Sequence, residues 1–267
     1  MAHGISLHIG LNRVDPTHYQ GWDGALNACE QDAKDMFAIA KKGGFVPQKL
    51  LTKAATTDAV TAVIGLAAKS LSAGDIFWLT YSGHGGQVPD TNGDEADGKD
   101  ETWVLYDRML VDDELYALWG QFKAGVRILV LSDSCHSGTV TKAVPAFIDG
   151  GPTLRTIPID VENRVYRAHQ QAYDGVQARV KDAAAVKVRA SVLLISGCMD
   201  NQYSADGDKN GLFTGTLKQV WASGKFAGTY RKFRDQIVAK MPSDQTPNYS
   251  FIGATNAAFQ AQRPFTI

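Results

Sequence analysis

Short apolar runs and longer segments with helical spacing alternate along this chain. The short runs are rich in β-branched and aromatic residues, which is typical of buried strands. In the longer segments apolar residues recur every three or four positions, as on one face of a helix. Strands are predicted at residues 4–11, 49–52, 75–81, 103–106, 127–132, 191–196 and 249–252. Helices are predicted at residues 23–42, 57–71, 112–122, 164–184, 212–223 and 230–240.

This alternation of strands and helices predicts an α/β fold. Parallel strands need long crossover connections, usually helices that cover the faces of the sheet. We therefore expect an α/β/α sandwich with a mostly parallel central sheet, and the 267 residues suffice for one such domain. Two stretches interrupt the alternation: an acidic, glycine-rich loop at residues 82–101 and a linker at residues 142–189, whose polar helix we expect to be exposed.

Composition and charge argue against several classes of function. The formal net charge of -1 gives no reason to expect binding to nucleic acid or to an anionic membrane, and no apolar run is long enough to cross a bilayer. The first residues lack the pattern of a secretion signal, so we expect a cytoplasmic protein. The cysteines, Cys29, Cys135 and Cys198, are odd in number and far apart, which does not indicate a disulfide framework or a zinc site.

A histidine and a cysteine follow two of the predicted strands. His84 comes after the strand at 75–81, and Cys135 comes after the strand at 127–132. Because ligands bind outside the carboxyl ends of parallel strands, we expect the two side chains at one site. A thiol beside an imidazole is a nucleophile and base for acyl transfer, and the backbone N–H groups of Gly85 and Cys135 are candidates for an oxyanion hole.

Other interpretations of these residues are open from spacing alone. One alternative is that His84 is an ordinary loop histidine and Cys135 a buried structural thiol, because cysteine is often buried and inert. His136 and Ser137 are rival candidates beside the cysteine. A serine nucleophile would normally lie in the pattern G-x-S-x-G, which is absent here.

The motifs around both residues resemble those of metacaspases and the related bacterial orthocaspases. The resemblance rests on residues 81–85 (YSGHG) and 133–138 (DSCHSG), with further matches at 27–33, 44–45, 196–198, 201–202, 204–207 and 211–214. It implies a caspase-like fold, a His84–Cys135 dyad and hydrolysis of peptide bonds after Arg or Lys. It also implies one catalytic domain over 1–267, with a large-subunit-like region at 1–141, the linker at 142–189 and a small-subunit-like region at 190–267. No organic cofactor is expected, and metacaspases are usually monomers.

Two aspartates have the right charge to bind a basic side chain. Asp133 lies two residues before Cys135, and residues two apart in a strand share a face. Asp32 lies on the apolar stripe of the first helix, where burial of a carboxylate is costly without a partner. By resemblance, Cys29, Asp32, Ser82 and Asp133 line the primary specificity pocket. The alternative is that Asp32 caps a local group and Asp133 shapes a turn.

Calcium binding and self-processing are further expectations. By resemblance, calcium ligands map to Asp100, Asp112 and Asp113, whereas Lys142 replaces a fourth aspartate of the family. The alternative is a solvated acidic loop, with Asp112 and Asp113 at the start of a helix. The linker at 142–189 contains several arginines and lysines, among them Arg155 and Arg164. It is a candidate for self-cleavage, although the same charges also suit a solvated polar segment.

Two other functions remain open at this point. One is a peptidase of the caspase fold with a different specificity. The other is a catalytically silent calcium-binding or scaffold homologue. The presence of both His84 and Cys135 argues against a silent homologue, because such a relative usually lacks one of the two.

Overall fold

The central sheet has six strands, of which five are parallel. The structure is a computed structural model that describes residues 2–93, 95, 97–134, 153–180, 186–199 and 202–267. Its sheet has the order β2-β1-β3-β7-β8-β9, and only β9 is antiparallel to its neighbour. The six strands are β1 (Gly4–Gly10), β2 (Val46–Leu51), β3 (Ile76–Ser82), β7 (Arg127–Asp133), β8 (Ser191–Ser196) and β9 (Ser250–Gly253). A second, three-stranded antiparallel sheet contains β4 (Gly85–Pro89), β5 (Lys99–Val104) and β6 (Met109–Val111).

Helices cover both faces of the central sheet, which confirms the predicted fold class. They are α1 (Cys29–Lys42), α2 (Thr57–Ser70), α3 (Asp112–Gly120), α4 (Ile159–Arg179), α5 (Leu212–Trp221), α6 (Tyr230–Val238) and α7 (Ala257–Ala261). Successive side chains of a strand point to opposite faces, so Phe77 and Leu79 of β3 pack with α2 and α3, whereas Ile76 and Trp78 pack with α1, α5 and α6. Every residue of β3 is buried, as expected for a strand covered on both sides.

The prediction of an uninterrupted loop at residues 82–101 is wrong. This stretch contains β4 and the beginning of β5, which pair from Gly85↔Trp103 to Pro89↔Lys99. The sequence of β4, GGQVP, carries little of the apolar alternation that marks a strand. Its residues are nevertheless buried up to Val88, because α4 packs against this sheet.

The helix of the linker begins earlier in the chain and is less exposed than predicted. It begins at Ile159 instead of residue 164 and ends at Arg179. Val161, Val165 and Val176 on one of its faces pack into an apolar cluster with β4, β5 and β6. The many polar and charged residues of this segment led to the prediction of an exposed helix.

The first helix begins at Cys29, six residues later than predicted. The backbone N–H groups of Asn27 and Ala28 donate to the carboxylate of Asp206, at 2.7 and 3.3 Å. This contact between distant parts of the chain holds the residues before the helix in another conformation. Among the described residues, no helix is both long enough and apolar enough to span a membrane.

Candidate active site

The predicted site residues of β3 and β7 lie side by side at the carboxyl edge of the central sheet. Ser82 ends β3 and is paired in register with Asp133, the last residue of β7. His84 follows Ser82 by two residues and is buried. Cys135 follows Asp133 by two residues in the sequence and lies outside the described part of the chain.

The imidazole of His84 is oriented by a backbone carbonyl. Its Nε2 lies 3.1 Å from the carbonyl oxygen of Gly24. A carbonyl can only accept, so Nε2 carries the proton and Nδ1 is left as the basic atom. Burial lowers the pKa of His84 to about 4, against an opposing effect of the Gly24 carbonyl. The ring is therefore neutral at physiological pH and able to accept a proton.

The pocket beside His84 holds an arginine of the same chain. The side chain of Arg155 is fully buried and forms ion pairs with Asp32 at 2.7 Å, Asp133 at 2.9 Å and Asp206 at 2.9 Å. Its guanidinium also donates to the hydroxyl of Ser82 at 2.8 Å. An arginine presents its N–H donors in a planar fork that suits several carboxylates at once. The pocket therefore has the charge and the shape to bind a guanidinium group.

Neutral groups hold the pocket's carboxylates in place. Asp133 accepts hydrogen bonds from the hydroxyls of Ser204 at 2.6 Å and Thr214 at 2.7 Å. Asp32 accepts from the hydroxyl of Ser82 and from the side-chain amide of Asn210, both at 2.8 Å. Because these donors are neutral, the carboxylates keep their negative charge and remain strong acceptors for a cation in the pocket.

Among the residues that the structure describes, negative charges outnumber positive ones in the pocket. Burial by itself lowers the pKa of Arg155, but Asp133, Asp32 and Asp206 hold it well above the ordinary value. Burial raises the pKa of Asp32, against the opposing effect of Arg155. Burial also raises the pKa of Cys29 to about 12, so this predicted pocket residue is a neutral thiol. Three carboxylates thus surround a single guanidinium.

The backbone around Arg155 lies in the site as an extended peptide. The N–H of Gly85 donates to the carbonyl oxygen of Arg155 at 3.0 Å. The N–H of Arg155 donates to the carbonyl of Ser204 at 2.9 Å, and the N–H of Ile157 donates to the carbonyl of Gly85, also at 2.9 Å. The predicted oxyanion-hole donor of Gly85 therefore contacts the carbonyl that a nucleophile would attack if Arg155 preceded a scissile bond.

Sequence reasoning located part of this pocket and missed the rest. The structure brings Asp32, Ser82 and Asp133 into contact with the guanidinium and places Cys29 in the same buried region. It adds Asp206, to which the sequence analysis gave no role although it lies in one of the matching motifs. Gly211 is the other addition, since a Cβ atom there would collide with the guanidinium of Arg155.

The predicted calcium ligands Asp112 and Asp113 have different surroundings: Asp112 lies in an acidic cluster, and Asp113 binds a side-chain amide. Among the described residues, carboxylate oxygens of Glu95, Glu101 and Asp112 lie within 4.8 Å of one another, and only Asp112 belongs to the predicted set. Asp113 instead accepts a hydrogen bond from the side-chain amide of Asn92 at 2.8 Å. Burial, followed by the charges of Glu101 and Asp100, raises the pKa of Asp112 to about 8. Such a crowded set of oxygens suits a hard cation like calcium.

Comparison with known proteins places these residues in a family. Residues 14–259 match the family model described as the caspase domain. Metacaspase-1 of Mycosarcoma maydis is 27% identical over 252 residues, which are 82% of this chain and 61% of that protein. Metacaspase-1 of Saccharomyces cerevisiae (strain ATCC 204508 / S288c) is 29% identical over 263 residues, which are 81% of this chain and 57% of that protein. The chain thus spans only about 60% of the length of these curated relatives.

A solved structure is similar over almost the whole chain. The crystal structure of protein GSU0716 from Geobacter sulfurreducens has 57% sequence identity and a TM-score of 0.91, and the match covers 99% of this chain and 98% of that one. The similarity confirms the caspase-like arrangement of the sheet and its helices. Together with the family match over residues 14–259, it shows that this chain belongs to the caspase-domain family and is metacaspase-like.

Proposed function

We propose that this chain is a cysteine endopeptidase that hydrolyses peptide bonds after Arg or Lys. The observation that carries the proposal is how Arg155 is bound. Its guanidinium pairs with three carboxylates, and its carbonyl oxygen accepts a hydrogen bond from the N–H of Gly85. A substrate arginine bound in the same way would present its carbonyl carbon beside His84. Membership of the caspase-domain family supports the same chemistry.

In the proposed reaction Cys135 is the nucleophile and His84 is the base. The neutral imidazole takes the thiol proton, and the sulfur attacks the carbonyl carbon of the residue in the pocket. The N–H of Gly85 stabilises the negative charge that develops on the carbonyl oxygen. His84 then gives its proton to the leaving amine. Water hydrolyses the thioester and restores the thiol.

Substrate specificity tests this proposal directly. We expect matched fluorogenic peptides ending in Arg or Lys to be cleaved, and the peptide ending in Asp to be cleaved at least about a thousandfold more slowly. Placing a like charge in a closed site costs several kcal/mol, and each 1.4 kcal/mol corresponds to a factor of about ten. The measurement is kcat/KM for each peptide, with Cys135→Ala as the inactive control. Faster cleavage after Asp would contradict the proposed pocket.

Self-processing is part of the same proposal, at the bond between Arg155 and Thr156. Incubated wild-type protein is expected to give fragments 1–155 and 156–267, whose masses identify the bond. Arg155→Gln should remain intact at this position. Arg164→Gln is the matched control, because Arg164 lies in the same linker region with an exposed side chain and should leave the cut unchanged. Equal intact masses of wild type and Cys135→Ala after incubation would contradict self-processing.

We also propose that calcium binds at the acidic cluster of Glu95, Glu101 and Asp112. These residues would hold the ion, which would neutralise their mutual repulsion. We expect Asp112→Asn to weaken calcium binding at least tenfold in titration calorimetry. The binding of wild type should strengthen from pH 7 to pH 9, because the ion competes with the proton on Asp112. Unchanged affinity in Asp112→Asn would exclude this site.

Compartment and oligomeric state complete the proposal. A free nucleophilic thiol is preserved in a reducing compartment, so we place the protein in the cytoplasm. Cys29 is a free, buried thiol, in agreement with that setting. We propose a monomer that acts on peptide and protein substrates.

A further inference from the structure

The two sides of the Arg155–Thr156 bond are held by different means. On the amino side, Arg155 is held by polar contacts with the pocket. On the carboxyl side, Ile157 is 3% exposed and packs in the apolar cluster beneath α4. Its N–H donates to the carbonyl of Gly85, and its side chain lies directly over Gly86. The carboxyl side is therefore part of the folded core.

Helix α4 fixes this side further. It begins two residues after Ile157, and its Glu162 accepts a hydrogen bond from the N–H of Gln87 in β4 at 2.7 Å. Cleavage would make Thr156 the new amino terminus, joined directly to this anchored segment. An ordinary leaving amine diffuses away after bond cleavage. Here the amine of Thr156 would be held next to the carbonyl group of Arg155 that Gly85 contacts.

We propose that the self-cleaved chain transfers acyl groups from Cys135 to the amine of Thr156, and so ligates arginyl peptides onto its own new terminus. The inference rests on the proposed peptidase function and adds a second fate for its thioester. In that step the amine nitrogen of Thr156 bonds to the acyl carbon and the carbon–sulfur bond breaks. One proton of the amine passes by way of His84 to the sulfur. A peptide bond forms, the thiol is regenerated, and no water is consumed.

Proximity favours this transfer over hydrolysis. Well-oriented intramolecular groups reach effective molarities of about 10⁵ M or more, far above the concentration of water. The free α-amine has an ordinary pKa of about 8, so a substantial fraction is unprotonated at pH 8. With Arg155 as the acyl group of the thioester, the same transfer reseals the original bond. Hydrolysis of that thioester competes with resealing and gives the self-cleaved form slowly.

A blocked arginine ester tests the inference. Self-cleaved wild type is incubated at pH 8 with benzoylarginine ethyl ester, whose small leaving group needs little space beside Thr156. We expect fragment 156–267 to gain one benzoylarginyl group, and fragment sequencing by mass spectrometry should locate it on residue 156. Free benzoylarginine, measured in the same tube, reports hydrolysis. The ratio of adduct to hydrolysed ester measures how strongly transfer to Thr156 competes with hydrolysis.

A pair of variants tests the role of the anchor. Ile157→Ala removes the buried side chain, and we expect the ratio of adduct to hydrolysis to fall at least tenfold. Ile159→Ala removes an apolar side chain that is 53% exposed two residues later, and the ratio should not change. An equal fall in both variants would exclude anchoring as the cause.

The outcomes separate this inference from the function on which it rests. Ester hydrolysis by wild type without any adduct on Thr156 overturns ligation and leaves the peptidase in place. A chain that hydrolyses the ester but stays intact at Arg155–Thr156 also overturns it. Absence of both hydrolysis and adduct, with Cys135→Ala giving the same result, removes the proposed peptidase itself.

Discussion

His84→Ala is expected to lower kcat/KM on an arginyl peptide by about 10⁴-fold or more, since members of a catalytic pair act as a unit. The buried imidazole is neutral, and its Nδ1 is the basic atom because Nε2 donates to Gly24. Without it, the proposed dyad lacks its base. Initial rates on the arginyl substrate measure the effect.

Two comparisons make this first test specific. His3→Ala removes an exposed histidine far along the chain from the site and should retain full activity. The double variant of His84→Ala and Cys135→Ala should be no less active than Cys135→Ala alone, because the base has no function once the thiol is absent. A loss of less than tenfold in His84→Ala would mean that another group serves as the base.

Arg155→Met should produce the largest change in stability. In a Cys135→Ala background, which prevents self-cleavage, we expect the free energy of unfolding to fall by about 3–5 kcal/mol, the usual cost of removing one partner of a buried ion pair. Asp32, Asp133 and Asp206 would then lose the cation they share. Denaturant unfolding monitored by fluorescence measures the difference.

An exposed ion pair provides the control for Arg155. Arg164 pairs with Asp160 within α4, and both side chains are more than half exposed. Arg164→Met should therefore change the free energy of unfolding by less than about 1 kcal/mol. Equal effects of Arg155→Met and Arg164→Met would contradict the importance of the buried cluster.

The pH dependence of the Arg155→Met effect has a defined sign. Burial holds the pKa of Asp32 above its ordinary value of 3.8 in the folded protein. At pH values between the ordinary pKa and the raised pKa of Asp32, the folded state binds more protons than the unfolded state, so stability falls as pH rises. Loss of Arg155 raises the folded-state pKa of Asp32 further, because no cation then stabilises the charged carboxylate. The destabilisation should accordingly be larger at pH 8 than at pH 5.

The sequence predicted the central sheet well because its strands are continuous apolar runs. The predicted strand at 191–196 coincides with β8, and the predicted strand at 127–132 differs from β7 by one residue. Strand β4 escaped prediction because two of its five residues are glycine and its burial depends on α4. The spacing of apolar residues predicts which face of one helix or strand is buried. The burial of β4 instead depends on α4, which comes from a distant part of the chain.

The same distinction applies to the pocket. Asp32 was recognisable as a carboxylate on an apolar helical stripe, and Asp133 by its place before Cys135. Asp206 carried no comparable signal, since it follows no strand and lies among polar residues. Arg155 was one of many basic residues in a linker expected to be exposed. Only the folded chain shows that its guanidinium lies inside the pocket.

The three acidic residues that bind Arg155 come from widely separated parts of the chain, and this order has a consequence during synthesis. Asp206 is translated long after Asp32 and Asp133, and it holds the residues that precede α1. A nascent chain that has not yet reached Asp206 therefore has only two of the three carboxylates that bind Arg155. If the proposed peptidase activity needs all three, it can begin only after this part of the chain has been translated.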